Sequence, residues 1–373
     1  MMSRKIENRY IATILLHALG DTIGFKNGLW EFFPNNSSYG ATLEKLYEFI
    51  QLGGINNIDL SNWNVSDDTI LHMAIAKSLI LSNSNDRDAL IDETIKQFIN
   101  AYNMMTNDKE NGKNRYGGIA VEKHILLLKQ GKKHTEFEYD KYGGGNGSAM
   151  RCNCIGLAYF GDDKRKQLID YSIQSSKLTH MNSIGWLGGL STALMTAFIL
   201  ENIHINDWIP NMLKIMDSTD VKKYIDDGNK DDIRSYEQFI QAWKTYYETR
   251  FKNNKPINIK SHTNLIQRLV FYNNIFELNN MGKMGYSGYS AVIVAYDCLL
   301  DAGDCWEKLV IYSMINNFDA DTIGAIAGGL YGTLYGLSNV PANNLKYIEF
   351  KDKLIKIGKL LYKKFYKNEK LTY

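Results

Sequence analysis

Asp319-Ala320-Asp321-Thr322-Ile323-Gly324-Ala325-Ile326-Ala327-Gly328-Gly329 sets two carboxylates and a hydroxyl at the head of a run of small and apolar residues. The run reads as a helix, although it carries Gly324, Gly328 and Gly329 and is followed by Gly332. Each glycine costs a helix interior roughly 1 kcal/mol relative to alanine. Such spacing therefore requires a compensating gain, most simply the close approach of another helix. A second apolar stretch has the same character through Gly185, Gly188, Gly189 and Ala193. Both are expected to be central helices.

Helical periodicity recurs elsewhere. Ile91, Ile95, Phe98 and Tyr102 share a face, as do Tyr236, Ile240, Trp243, Tyr247 and Phe251, and again Leu354, Ile357, Leu361 and Phe365. No sustained two-residue alternation signals a sheet, so the expected fold class is all-α. Turn material collects at 34–40, 107–118, 141–147, 226–232 and 253–264, in runs too short and too little biased for an inter-domain linker. Residues 1–373 are therefore expected to form a single compact multi-helix domain. The charged, Tyr-rich segment 217–264 reads as a peripheral helical insertion.

With 45% hydrophobic and 23% charged residues, the composition is that of a globular chain rather than a disordered or membrane one. The 43 basic and 41 acidic residues leave a net charge of +2, without the surplus that nucleic-acid binding draws on. Lysines crowd the segment from Lys346 to Lys370, which reads as a solvated helix face. Neither a nucleic-acid nor a membrane partner is expected. Cys152, Cys154, Cys298 and Cys305 lack a C-x-x-C pairing and read as reduced, mostly buried thiols. The apolar run from Tyr10 to Gly20 is interrupted by His17 and followed by Asp21, so it reads as the first core helix of a cytoplasmic protein.

Taken singly, Asp319-x-Asp321-Thr322 is a helix N-terminus with an acidic first turn, which the helix macrodipole favours. Ser66-Asp67-Asp68-Thr69 reads the same way, with Ser66 as N-cap. Together they supply six hard oxygen donors, Ser66, Asp67, Asp68, Asp319, Asp321 and Thr322, a set suited to Mg²⁺ or Mn²⁺ and sufficient to bridge two ions. Adjacent carboxylates without a cation would raise one another's pKa, and a metal relieves that repulsion. The glycine-rich turn Gly143 to Arg151 offers a backbone anion site, and Arg115-Tyr116-Gly117-Gly118 is a weaker version of one. Asp21 reads as an early-helix or supporting carboxylate. Glu31 lies between Trp30 and Phe32, and such apolar company suits a proton-transfer group. The histidines lack a His-x-x-x-His pair, and neither a Gly-x-Ser-x-Gly elbow nor a phosphate loop is present.

These motifs, in this order, resemble the ADP-ribosylglycohydrolase family and within it the ADP-ribosylarginine hydrolases. The matching blocks are Gly20 to Gly24, Asn27-Gly28-Leu29-Trp30-Glu31-Phe32, Ser66 to Ile70, Gly145 to Arg151, Thr179-His180, Ala295-Tyr296-Asp297, Ala302 to Trp306 and Asp319 to Thr322. The Asn27 to Phe32 run resembles the arginine-specific branch. The resemblance implies an all-α fold of that family and a binuclear Mg²⁺ site, with Mn²⁺ as an alternative. The substrate would be a mono-ADP-ribosylated protein, and the enzyme would release ADP-ribose from arginine as a monomer. Ser66, Asp67, Asp68, Asp319, Asp321 and Thr322 become the metal ligands. Asp67, Asp68 and Glu31 become the catalytic residues, with two assignments open: Asp67 or Asp68 orients the water, and Glu31 or the other aspartate protonates the leaving nitrogen. Substrate contacts are expected from Glu31, Gly145, Asn146, Gly147, Ser148, Tyr116, Gly117, His180 and Tyr286. The chain departs from the family pattern at Asn317-Phe318, where glycines are usual, and at Gly288-Tyr289-Ser290-Ala291-Val292, where arginine-specific relatives read Gly-His-Asp-Ala-Pro.

Overall fold

A computed structural model describes residues 2–31, 39–82, 86–257, 264–277 and 284–371. Phe32, most of the expected turn at 34–40 and residues 258–263 lie outside the described residues. The fold is all-α. Among the described residues, strand structure is limited to a hairpin, Phe251–Lys252 with Lys255–Pro256.

The stretch that opens the sequence argument forms the helix Ala320–Tyr335, buried from Ala320 to Thr333. It packs antiparallel on the N-terminal helix Met2–Phe25 with almost no space between backbones. Methyl groups on Gly332, Gly328, Gly20 and Gly24 would lie 2.4, 2.1, 2.0 and 2.3 Å from the carbonyl oxygens of Ala12, Leu16, Gly324 and Ala320. These contacts recur every four residues on both helices, the period at which one helix face repeats. Close approach is the gain that offsets the glycines.

The helix Ser183–Leu200 is apolar and long enough to cross a membrane, yet it is buried from Ser183 to Ile199 and is a core helix. Gly189 makes the expected helix–helix contact, but Gly185 and Gly188 work differently. A methyl on Gly185 would lie 2.2 Å from the Gly143 carbonyl oxygen and one on Gly188 2.6 Å from the Gly288 carbonyl oxygen, so this helix seats two loops, while a methyl on Gly189 would meet Ser176 of the helix Arg165–Lys177.

In the segment 217–264, the helix Lys230–Arg250 buries Phe239, Ala242, Trp243 and Tyr246. Its Tyr246 and Arg250 donate to Asp297 at 2.6 and 2.9 Å, and Arg268 and Tyr272 of the helix Leu265–Glu277 donate to the same carboxylate at 2.8 and 2.6 Å. Asp297 thus ties three helices together, and the Ala295-Tyr296-Asp297 block serves packing. Cys152, Cys154 and Cys298 are free and buried, and Cys305 is half-buried and free. From the lysine-rich C-terminal segment, Lys364 turns inward and donates to the carbonyls of Leu79, Ile80 and Ser82, closing the C-terminus of the helix Asp67–Leu81.

Candidate active site

Because Gly20 and Gly24 lie against the Ala320–Tyr335 helix, Asp21 between them is held beside that helix's N-terminus. Its carboxylate, fully buried, accepts from the backbone amides of Ser66 at 3.0 Å and Thr69 at 3.1 Å and from the Thr69 hydroxyl at 2.5 Å. Asp21 therefore fixes the first turn of the Asp67–Leu81 helix. Ser66 is the N-cap there, its Oγ accepting from the Asp68 amide at 3.1 Å. The Asp67 amide donates to the Arg115 carbonyl at 3.1 Å, and the Gly118 amide lies 3.5 Å from Asp67 Oδ2. The Arg115 side chain is directed away into ion pairs with Asp108 at 2.8 Å and Glu349 at 2.6 Å. The Arg115 to Gly118 turn thus positions Asp67.

Asp319 stands at the N-cap position of its helix, but its side chain makes no capping bond. Its Oδ2 instead accepts from Asn146 Nδ2 at 2.8 Å, and the same amide group donates to the Gly285 carbonyl at 2.7 Å. Asn146 thereby joins the glycine-rich turn, the Gly285–Tyr286 backbone and the acidic helix start. Glu31 arrives from the other side, after a tight turn in which Lys26, Asn27 and Gly28 have φ of 43°, 58° and 85°. The Asn27 side chain holds that turn by donating to the Asn62 carbonyl at 2.9 Å and accepting from the Asn64 amide at 2.8 Å. Carboxylate oxygens of Glu31, Asp319 and Asp321 lie within 4.8 Å of one another.

Six carboxylates, those of Asp21, Glu31, Asp67, Asp68, Asp319 and Asp321, are buried together, each at most 8% exposed. Burial pushes Asp21 up to about 6. Burial and then the neighbouring acids hold Asp67, Asp68 and Asp321 well above the usual carboxylate range. Glu31 is pushed up to about 10 by burial and by Asp319, Asp67 and Asp21. Lys45, fully buried beside them, is drawn down to about 8 by burial against the pull of Asp321 and Glu31. One turn away on their helices, the His17 and His72 rings lie 3.9 Å apart centre to centre, tilted by 35°, and burial holds both below the usual histidine range. The donors suit a hard divalent cation: carboxylate and hydroxyl oxygens, a surplus of negative charge, and an Asp68 Oδ2 that is buried without a hydrogen-bond partner.

The structure brings Asn146 and Tyr286 to this cluster; burial, then Asp319, Glu31 and Asp321, raises the Tyr286 phenol. Gly145 and Gly117 are half-buried, and Tyr116 is exposed with its ring against Gly28. Ser148 and His180 lie deeper. The Ser148 hydroxyl donates to the Gly185 carbonyl, and His180, 2% exposed, bonds Thr179 Oγ1 through Nδ1 at 2.7 Å and lies under Gly147. Both hold the loop from behind. Phe318 is buried edge-on against Tyr272, and Tyr289 against Phe276 and Phe239, so both departures from the family pattern fill the core. Sequence reasoning missed Lys45. Its signal was a lysine in step with Ala41 and Phe49, both buried on the helix Tyr39–Gln51.

Residues 2–371 match the model of the ADP-ribosylglycohydrolase family. The chain belongs to this family. It is 31% identical over 369 residues to the ADP-ribosylhydrolase ARH1 of Dictyostelium discoideum, covering 91% of this chain and 89% of that one. It is 23% identical to the ADP-ribosylhydrolase ARH3 of Xenopus tropicalis, covering 90% and 89%. In fold it matches an ADP-ribosylglycohydrolase-related protein complex with a TM-score of 0.61 at 16% identity, covering 96% of this chain and 99% of that one. As an ADP-ribosylglycohydrolase family hydrolase, it carries its acidic cluster where the N-terminal, Asp67–Leu81 and Ala320–Tyr335 helices meet.

Proposed function

We propose that this hydrolase is Mg²⁺-dependent and cleaves the N-glycosidic bond between ADP-ribose and arginine side chains of mono-ADP-ribosylated proteins, acting as a cytoplasmic monomer. The observation that carries the reading is the placement of Glu31. It belongs to the run that resembles the arginine-specific branch, and its carboxylate joins those of Asp319 and Asp321. Ser66, Asp67, Asp68, Asp319, Asp321 and Thr322 would hold two ions, and Mn²⁺ satisfies the same donors. When bound, the ions supply positive charge that fixes ribose hydroxyls and relieves the crowding of carboxylates.

The remaining work belongs to the chain. Asp67 or Asp68 accepts a hydrogen bond from the attacking water and orients it toward the ribose C1′. As the new C–O bond forms, the water's proton passes to that aspartate, the C1′–N bond breaks, and the leaving guanidine takes a proton from Glu31 or from the other aspartate. The burial of Glu31, directly after the buried Trp30, supports the first assignment. The half-buried backbone of Gly145 and Asn146 faces the pyrophosphate in this reading, with Ser148 and His180 supporting it from beneath.

A second reading has the same chemistry, release from ADP-ribosylserine or O-acetyl-ADP-ribose, and rests on the Gly288 to Val292 departure at Ser290, whose hydroxyl accepts from the Gly285 and Ser287 amides, rather than at the core-facing Tyr289. A binder without turnover is disfavoured by the retention of Asp67, Asp68, Asp319 and Asp321. The test is release of free ADP-ribose from an ADP-ribosylarginine protein and an ADP-ribosylserine peptide in parallel, each with Mg²⁺ and with EDTA. Metal-dependent release from arginine alone is expected. Release from serine alone moves the assignment to the second reading, and release unaffected by EDTA refutes the metal.

A further inference from the structure

Lys45 is fully buried on the helix Tyr39–Gln51, and its ammonium donates to two backbone carbonyls far apart in sequence. One belongs to Trp30, the residue before Glu31; the other, at 2.9 Å, belongs to Asn316, three residues before Asp319. Both ends of this connection are themselves held. Trp30 donates through its indole to Glu48 of the same helix at 2.7 Å, and Lys26 is paired with Glu48 as well. The Asn316 side chain donates to the Ser313 carbonyl at 2.8 Å and accepts from the Phe318 amide at 3.0 Å, which stiffens the approach to Asp319. Lys45 carries the connection from one rigid segment to the other.

We propose that Lys45 is a positioning residue of the metal centre. Its ammonium ties the Trp30 and Asn316 backbones together and so sets the span between Glu31 and the Asp319–Asp321 turn. The proposal rests on the metal-dependent reading above. A fixed cation beside a divalent ion acts in two opposed ways. As a charge it repels the metal, so its removal would tighten metal binding. As a tether it keeps three carboxylates within reach of one another, so its removal would loosen binding. The direction of the change therefore separates the two roles.

The experiment is calorimetric titration of the full chain with Mg²⁺, for the wild type, Lys45→Met and Lys45→Arg, with melting in EDTA as a check of folding. Lys45→Met is expected to weaken Mg²⁺ binding by about 10–100-fold, as loss of an outer partner of a metal ligand does. Lys45→Arg, which keeps the charge and the donors, is expected to recover most of that loss. Binding by Lys45→Met as tight as wild type, or tighter, overturns the proposal. A wild type that binds no Mg²⁺ refutes the metal reading itself, a different outcome from wild-type binding with an indifferent Lys45→Met. Should Lys45→Met fail to fold, hydrogen exchange on the wild type decides. Amides of residues 27–31 and 316–319 are expected to gain protection together when Mg²⁺ is added, and protection confined to one segment overturns the tether.

Discussion

Asp319 occupies the N-cap position of a helix and declines the role, sending its carboxylate to Asn146 instead. Ser66, by contrast, caps its helix as expected, so identical-looking acidic starts have different local chemistry. Asp68 and Asp321 are buried among other acids, and in the proposed metal-dependent reading they serve metal binding more than packing. Asp68→Asn or Asp321→Asn is therefore expected to lower ADP-ribose release by more than about 100-fold, beyond the usual effect of losing an outer-shell partner. Circular dichroism and melting in EDTA should remain near wild type, and unfolding of either variant would count against the assignment. Asp21 is a different case, since its carboxylate bonds the Ser66–Thr69 turn. Asp21→Asn is expected to weaken Mg²⁺ binding by about 10–100-fold in calorimetry. The acids were legible in the sequence because carboxylates at two helix starts are local patterns. Lys45 was not, because its role depends on a bond to a carbonyl 271 residues away.

At the level of elements, the N-terminal and Ala320–Tyr335 helices behave as one unit whose glycines are there for contact. Alanine raises intrinsic helix propensity by roughly 1 kcal/mol over glycine, so propensity alone predicts that Gly20→Ala and Gly328→Ala stabilise. The structure predicts the opposite sign, because each new methyl would lie 2.0–2.1 Å from a carbonyl oxygen of the partner helix. Overpacking of this kind is expected to destabilise by about 1–3 kcal/mol or more in denaturant unfolding. Increased stability would mean that the helices separate at little cost. The glycines made a close helix neighbour of Ala320–Tyr335 readable in advance, but not that this neighbour is the N-terminal helix. The seating of the Gly143 and Gly288 loops on Gly185 and Gly188 was not readable, because a glycine in a helix signals a close neighbour without saying whether it is a helix or a loop.

For the whole molecule, the cost of assembling the centre is electrostatic. A carboxyl whose pKa is raised on folding leaves the folded state holding more protons than the unfolded state, between the unfolded value near 4 and the folded one. Stability therefore falls as pH rises through that window, which extends to about 6 for Asp21 and about 10 for Glu31. In EDTA the melting temperature is expected to fall from about pH 5 to about pH 8, and Mg²⁺ should restore more of it at the higher pH. A melting temperature in EDTA that rises over this range would contradict the account. The all-α class and the order of the motifs could be read from the chain. The inward placement of Phe318 and Tyr289 could not, since a large side chain beside a site reads the same whether it faces the site or the core.

The most direct test is a crystal of the full chain grown with Mn²⁺ and examined by anomalous diffraction. The account predicts two peaks roughly 3.5–4 Å apart, among the carboxylates of Asp67, Asp68, Asp319 and Asp321 and within reach of Glu31. A cluster without a peak, or metal bound elsewhere, would contradict it.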